Sequence, residues 1–128
     1  MTESRAQTGS LYAQFDALLQ GRCAQKRRVD NHTWLERRER NQIVLKLHQT
    51  DIITCAPHDV ITVYAGGWQT ATTKDRLNNY LGKLGFGISQ VKGVWYWCTP
   101  GNWNASPIPF TDHDQIIRGE LKAQAQEV

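Results

Sequence analysis

The stretch GGWQTATTKDR, residues 66–76, concentrates the side chains best able to hold a negative charge. Thr70, Thr72 and Thr73 supply hydroxyl donors, Lys74 and Arg76 supply cations, and Gly66 and Gly67 let a backbone approach closely. A helical pattern follows at once. The first turn of a helix presents unsatisfied N–H groups and the positive end of its dipole. Phosphate or carboxylate binding is therefore the chemistry predicted for Gly66, Gly67, Trp68, Thr70, Thr72, Thr73, Lys74 and Arg76. The P-loop spacing G-x-x-x-x-G-K-[ST] is absent, so nucleotide hydrolysis is not predicted. The alternative is a purely structural turn, in which Trp68 plugs the core and the threonines cap the helix.

Two further groups point to nucleic acid. In VWYWC, a strand would place Trp95 and Trp97 on one face and Val94, Tyr96 and Cys98 on the other. One face must meet the core, and the other would offer rings on which bases stack, with Trp103 extending the platform. Residues 21–50 carry Arg22, Lys26, Arg27, Arg28, Arg37, Arg38, Arg40 and Lys46 against Asp30, Glu36 and Glu39. Arg27, Arg28, Arg37 and Arg38, with Trp34 among them, suit a phosphate backbone; a solvated charged face is the plainer alternative. No helix-turn-helix, zinc-finger or RNP-type pattern accompanies them.

Acid–base and metal chemistry find less support. His48 with Asp51, His58 with Asp59, and Asp112-His113-Asp114 are the close histidine–carboxylate groupings, and none has metal-ligand spacing. A distributed nuclease-like set of His48, Asp51 and Asp112 is the weakest option. No nucleophile motif appears, so no catalytic residue, metal ligand or cofactor is assigned.

These residues need elements to position them. Ser10 reads as the cap of a helix whose Leu11, Phe15, Leu18 and Leu19 form one apolar face, with Gly21 as its stop. Segment 27–38 is ambiguous: Thr33 and Glu36 match a capping box, but the β-rich sequence that follows favours a strand. Residues 42–48, 51–55 and 59–64 read as strands, the first alternating apolar and polar, with APHD as a hairpin loop. Thr72, three residues before Asp75, is the expected cap of a helix over 73–84, with Leu77, Leu81 and Leu84 as its stripe. FGISQV and GVWYWCT read as antiparallel strands joined at Lys92-Gly93, residues 100–109 as a loop, and FTDHDQII as a final strand or turn. The fold predicted is α+β: an antiparallel β-sheet meander of about five or six strands with two helices packed on one face.

The chain has 128 residues, of which 40% are hydrophobic and 21% charged, so one domain with a single core is expected. Residues 1–9 read as a flexible segment, 10–118 as the domain and 119–128 as a polar tail. No apolar run is long enough to span a membrane and the first residues have no signal-peptide core, so an intracellular, membrane-free protein is expected. Cys23, Cys55 and Cys98 form no C-x-x-C pair and read as small, mostly buried hydrophobes.

The LHQTDIIT strand, the GGWQTATTKDRLN turn-helix and the QVKGVWY strand together resemble a family of small, mostly uncharacterised proteins encoded by bacteriophages and related mobile elements. The resemblance covers about residues 30–98. It implies a phage protein at work in the bacterial cytoplasm, and proteins of this kind often bind nucleic acid, inhibit host defence or sequester host molecules. The pattern falls on His48, Thr50, Asp51, Gly66, Gly67, Trp68, Thr70, Thr72, Thr73, Lys74, Arg76 and Asn78, which fits a structural hinge or one composite site. Together with the charge pattern it favours a non-enzymatic binder of nucleic acid or a nucleotide. The alternatives are an inhibitor that grips a host protein through a tryptophan-rich surface, and a metal-dependent phosphodiesterase.

Overall fold

A computed structural model describes residues 10–66, 69–99 and 108–122. Among the described residues two α-helices, α1 (Leu11–Leu18) and α2 (Ala71–Leu81), accompany ten strands in two antiparallel sheets. The larger sheet takes β1 (Lys26–Asp30), β2 (Thr33–Arg38), β3 (Gln42–Leu47), β4 (Thr50–Ala56), β5 (Val60–Val63), β9 (Asp114–Ile117) and β10 (Glu120–Lys122), in the order β1-β2-β3-β4-β5-β9-β10. The smaller sheet has the order β6-β7-β8, from Gly87–Val91, Val94–Cys98 and Ile108–Pro109. The fold is α+β.

Alternation along the strands sets the layers. Leu35, Leu45, Ile53 and Val63 lie in register across β2 to β5, and Ile43, Cys55, Ile61 and Ile116 form a second row. Both rows are buried with Leu11, Phe15 and Leu19 from the α1 segment and Leu77 and Leu81 from α2. The helices thus cover one face of the large sheet. Trp95 and Trp97 of β7 enter the same core, each in ring contact with Phe110. The opposite face carries Thr54 beside Thr62 and Thr62 beside Gln115, a polar row in register.

The strand count exceeds the five or six expected because segment 27–38 divides in two and short strands form at Ile108–Pro109, expected in a loop, and at Glu120–Lys122. Residues 27–38 are not one strand but the hairpin β1–β2, turned at Asn31-His32, with His32 in the left-handed region at φ 53. The Asp30 carboxylate accepts from the Asn31 amide at 2.8 Å, and the Thr33 hydroxyl donates to the Asn31 carbonyl at 2.7 Å. These bonds supply a turn without glycine, and they place Thr33 at the start of a strand rather than a helix. Residues 110–117, expected as a final strand or turn, hold a turn followed by β9, and Glu120–Lys122, expected in the polar tail, pairs with β9 as β10. Residues 1–9, Trp103 and most of the 100–109 loop lie outside the described residues.

Candidate functional site

Thr70, extended at φ −96 and ψ 164, caps α2: its hydroxyl accepts from the Thr73 amide at 3.1 Å and lies 3.0 Å from the Thr73 hydroxyl. The expected cap was Thr72. The helix starts two residues earlier because the Thr70 carbonyl already accepts from the Lys74 amide, and because Asp75, the intended partner of Thr72, pairs with Arg76 at 2.8 Å. Thr72 is left exposed on the first turn.

The β3–β4 turn approaches this helix start. His48, left-handed at φ 56, donates its amide to the His32 carbonyl at 2.8 Å, and the two imidazoles stack with centroids 4.6 Å apart. The β1–β2 and β3–β4 turns therefore lie side by side. Between the β3–β4 turn and α2 is a cleft of about 440 Å³. Leu47, Ile52 and Ala65 give it apolar lining, while His48, Gln49, Thr50, Thr70, Thr72 and Thr73 give it polar groups. Small-molecule sites commonly measure ~300–1,000 Å³ and combine apolar walls with a few polar groups. The two sequence patterns LHxTD and TxTTK thus meet in one cavity, although Thr50 and Thr70 are 20 positions apart in the chain.

The cations of the predicted site are employed within the fold. Arg76 donates Nε to the Thr33 hydroxyl at 3.0 Å and pairs with Asp75 at 2.8 Å and Asp30 at 3.5 Å. Lys74 donates to the Gln90 side chain at 3.0 Å. Gly66 lines no part of this cleft, and Gly67 and Trp68 lie outside the described residues.

The basic segment is similarly committed. Arg27 donates to the Leu18 carbonyl at 3.0 Å, and Arg28 donates to the Asn31 side chain at 3.1 Å. Arg37 closes the end of α1, with bonds to the Ala24 carbonyl, the Asp16 carboxylate and the Leu19 carbonyl. Arg38 grips Asp51 through two bonds, at 2.8 and 3.1 Å, and reaches Glu36 at 2.9 Å. Burial alone would raise the Glu36 carboxyl, but Arg38 and Lys46 outweigh it and hold the group below its ordinary range. Trp95 and Trp97 retain 2% and 4% of their surface. Their face of β7 is the one that meets the core, so these rings are not available for base stacking in this structure. Trp34 is half-buried, with the Lys26 ammonium 5.0 Å from its ring centre.

Asp51, one member of the nuclease-like set, is held by Arg38, and Asp112 accepts from the Ala65 amide at 2.8 Å. Asp114, fully buried, accepts from the Trp97 indole and the Thr111 amide, each at 2.8 Å. Among the described residues, no three of His, Cys, Asp and Glu stand together as a metal site, and no helix is long and apolar enough to cross a membrane. Burial, then the nearby Asp59 charge, pushes the Cys55 thiol up to about 12, which keeps it protonated at neutral pH.

An open sheet face, a helix-covered face and a polar cleft between a strand turn and a helix start define a small α+β protein. Residues 13–117 match the family model for the Kyanoviridae Gp96 protein, and the chain belongs to that phage protein family. No curated protein and no solved structure matches it.

Proposed function

We propose that this phage protein is a non-enzymatic binder whose ligand is a small phosphorylated molecule of nucleotide size, held in the cleft between the β3–β4 turn and α2. The observation that carries this reading is the convergence of Thr50, Thr70, Thr72 and Gln49 around one cavity with apolar walls. Hydroxyl and amide donors of this kind suit phosphate oxygens. A nucleotide is favoured over a nucleic-acid strand because Arg27, Arg28, Arg37 and Arg38 already serve intramolecular partners and Trp95 and Trp97 belong to the core. In a phage, such a binder would sequester a host nucleotide, including one used in defence signalling.

The test is calorimetric titration of the wild type and of Thr72→Ala with nucleoside monophosphates, at low and high salt. Thr72 is exposed, so its truncation leaves the core intact. Weakened binding with an unchanged melting temperature supports the cleft; unchanged affinity removes it. A second reading, attachment to a host protein, draws on the β6–β7 hairpin tip. Val91 and Val94 pair there across the strands while exposing 54% and 45% of their surface. Host-protein capture that is insensitive to salt and lost in Val91→Asp would favour it.

A further inference from the structure

Around the end of β4 from the threonine cleft is a second cleft, of about 480 Å³, on the open face of the large sheet. Thr54, Thr62 and Tyr64 line it because positions 62 and 64 continue the outward phase of β5. His113, left-handed at φ 75 in the turn before β9, donates its amide to the Val63 carbonyl at 2.7 Å. Its ring stacks on Tyr64 with centroids 4.5 Å apart and planes 23° from parallel. Asp51 also lines this cleft, but its carboxylate is bound by Arg38, and no lysine or arginine lines it among the described residues.

That lining selects a ligand class. A phosphate would meet the Asp51 carboxylate here, whereas no carboxylate lines the threonine cleft among the described residues. A flat, uncharged, polar ring would find an aromatic wall and the hydrogen-bonding groups of Gln49, Thr54 and Thr62. The Thr62 hydroxyl accepts from Gln115 at 3.1 Å and so keeps its own hydrogen for a ligand acceptor. Both clefts are lined by Gln49 and Thr50, which makes them neighbours across one sill. Gly66 completes the sill: a Cβ there would lie 3.2 Å from Thr50 Cγ2 and 3.5 Å from Tyr64 Cε2.

We infer that the two clefts form one bipartite nucleotide site, with the phosphate in the threonine cleft and the nucleobase in the Tyr64–His113 cleft. The inference rests on the reading of the first cleft given above, and it adds the group that tells one nucleotide from another.

The experiment titrates adenosine and guanosine 5′-monophosphate and ribose 5-phosphate into the wild type, Tyr64→Leu and His113→Asn. Asparagine tolerates the left-handed backbone of position 113. The wild type is expected to bind at least one nucleotide more tightly than ribose 5-phosphate. Each variant is expected to lose roughly ten-fold or more for that nucleotide, the scale of a lost base–aromatic stack, while binding ribose 5-phosphate as the wild type does. Nucleotide affinity unchanged in both variants overturns the base cleft and leaves the threonine cleft standing. A wild type that binds ribose 5-phosphate as tightly as the nucleotides does the same, and decides the matter even if a variant fails to fold. A wild type that binds none of the three overturns both.

Discussion

Asn78 of α2 and Ile88 of β6 are joined by the pair of hydrogen bonds that a neighbouring strand would make. The Asn78 carboxamide accepts from the Ile88 amide at 2.7 Å and donates to the Ile88 carbonyl at 3.1 Å. Strand β6 is an edge of the small sheet, and an unpaired edge is a template for association with another chain. One side chain here does the work of a strand, and the Lys74–Gln90 bond fastens the same two elements two residues further along β6.

Asn78→Ala should therefore act twice. Stability should fall by about 1–3 kcal/mol, because a half-buried amide and carbonyl lose their partner. Self-association should rise, because the β6 edge opens. Urea denaturation and light scattering measure the two effects. A variant as stable and as monodisperse as the wild type would show that the pairing is incidental.

Arg76 fastens the other end of this arrangement. Its guanidinium joins α2 to the β1–β2 turn through Thr33 and Asp30, and it retains only 13% of its side-chain exposure. Arg76→Ala is expected to cost about 1.5–3 kcal/mol, the range for hydrogen bonds to a charged group, with the exposed Asp75 contributing little. Arg76→Lys should recover part of the loss, since an ammonium cannot reproduce the planar fork. Equal stability of wild type and Arg76→Ala by urea denaturation would free Arg76 for a ligand role instead.

The contrast between Asn78 and Arg76 shows what a sequence can disclose. The alternation in QIVLKL and the apolar spacing of α1 and α2 carry their own periods, so the helices and central strands were legible. Strand β1, KRRVD, was not separable from β2, because it is a charged edge strand with no apolar alternation and its turn at His32 has no glycine. The threonine cluster announced a helix start, but three threonines compete for one cap. Thr70 takes it, its hydroxyl accepting from the Thr73 amide and its carbonyl from the Lys74 amide, while Asp75 pairs with Arg76. The arginine run was visible as charge, yet its consumption was not: the partner of Arg38 is Asp51, two strands away in the sheet. The Tyr64–His113 cleft went unseen because its two rings lie just beyond the paired ends of β5 and β9, adjacent in space and distant in sequence.

Asp59 makes stability depend on pH in a definite direction. Burial raises its carboxyl above the ordinary value, and the charge of Arg118 offsets only part of that rise. Between the unfolded and the raised folded value, the folded protein holds more of this proton than the unfolded chain. This group therefore makes stability fall as pH rises through that window, and ionised Asp59 is a net cost at neutral pH. Asp59→Asn keeps a residue tolerant of φ 61 and removes the charge. It is expected to raise the urea midpoint at neutral pH and to flatten the pH profile from the ordinary carboxylate range upward. An unchanged profile would mean that Asp59 is as well solvated in the folded protein as in the unfolded chain.

Gly66 separates backbone strain from steric crowding when it is compared with Gly119. Both adopt positive φ, +67 and +82, which costs an alanine roughly 1–2 kcal/mol. At Gly119 a Cβ would meet nothing within 4 Å, so Gly119→Ala should show that cost alone. At Gly66 the Cβ would press to 3.2 Å from the Thr50 methyl and 3.5 Å from the Tyr64 ring. Gly66→Ala should consequently be the more destabilising of the two, because Thr50 must give way to admit it. Thr50 lines both clefts, so the same displacement should weaken nucleotide binding in Gly66→Ala while Gly119→Ala binds as the wild type does. Urea denaturation and calorimetric titration with a nucleoside monophosphate, run on both variants, separate these effects. Equal stabilities would show that Thr50 yields without cost. Equal affinities would show that the sill between the clefts does not touch the ligand.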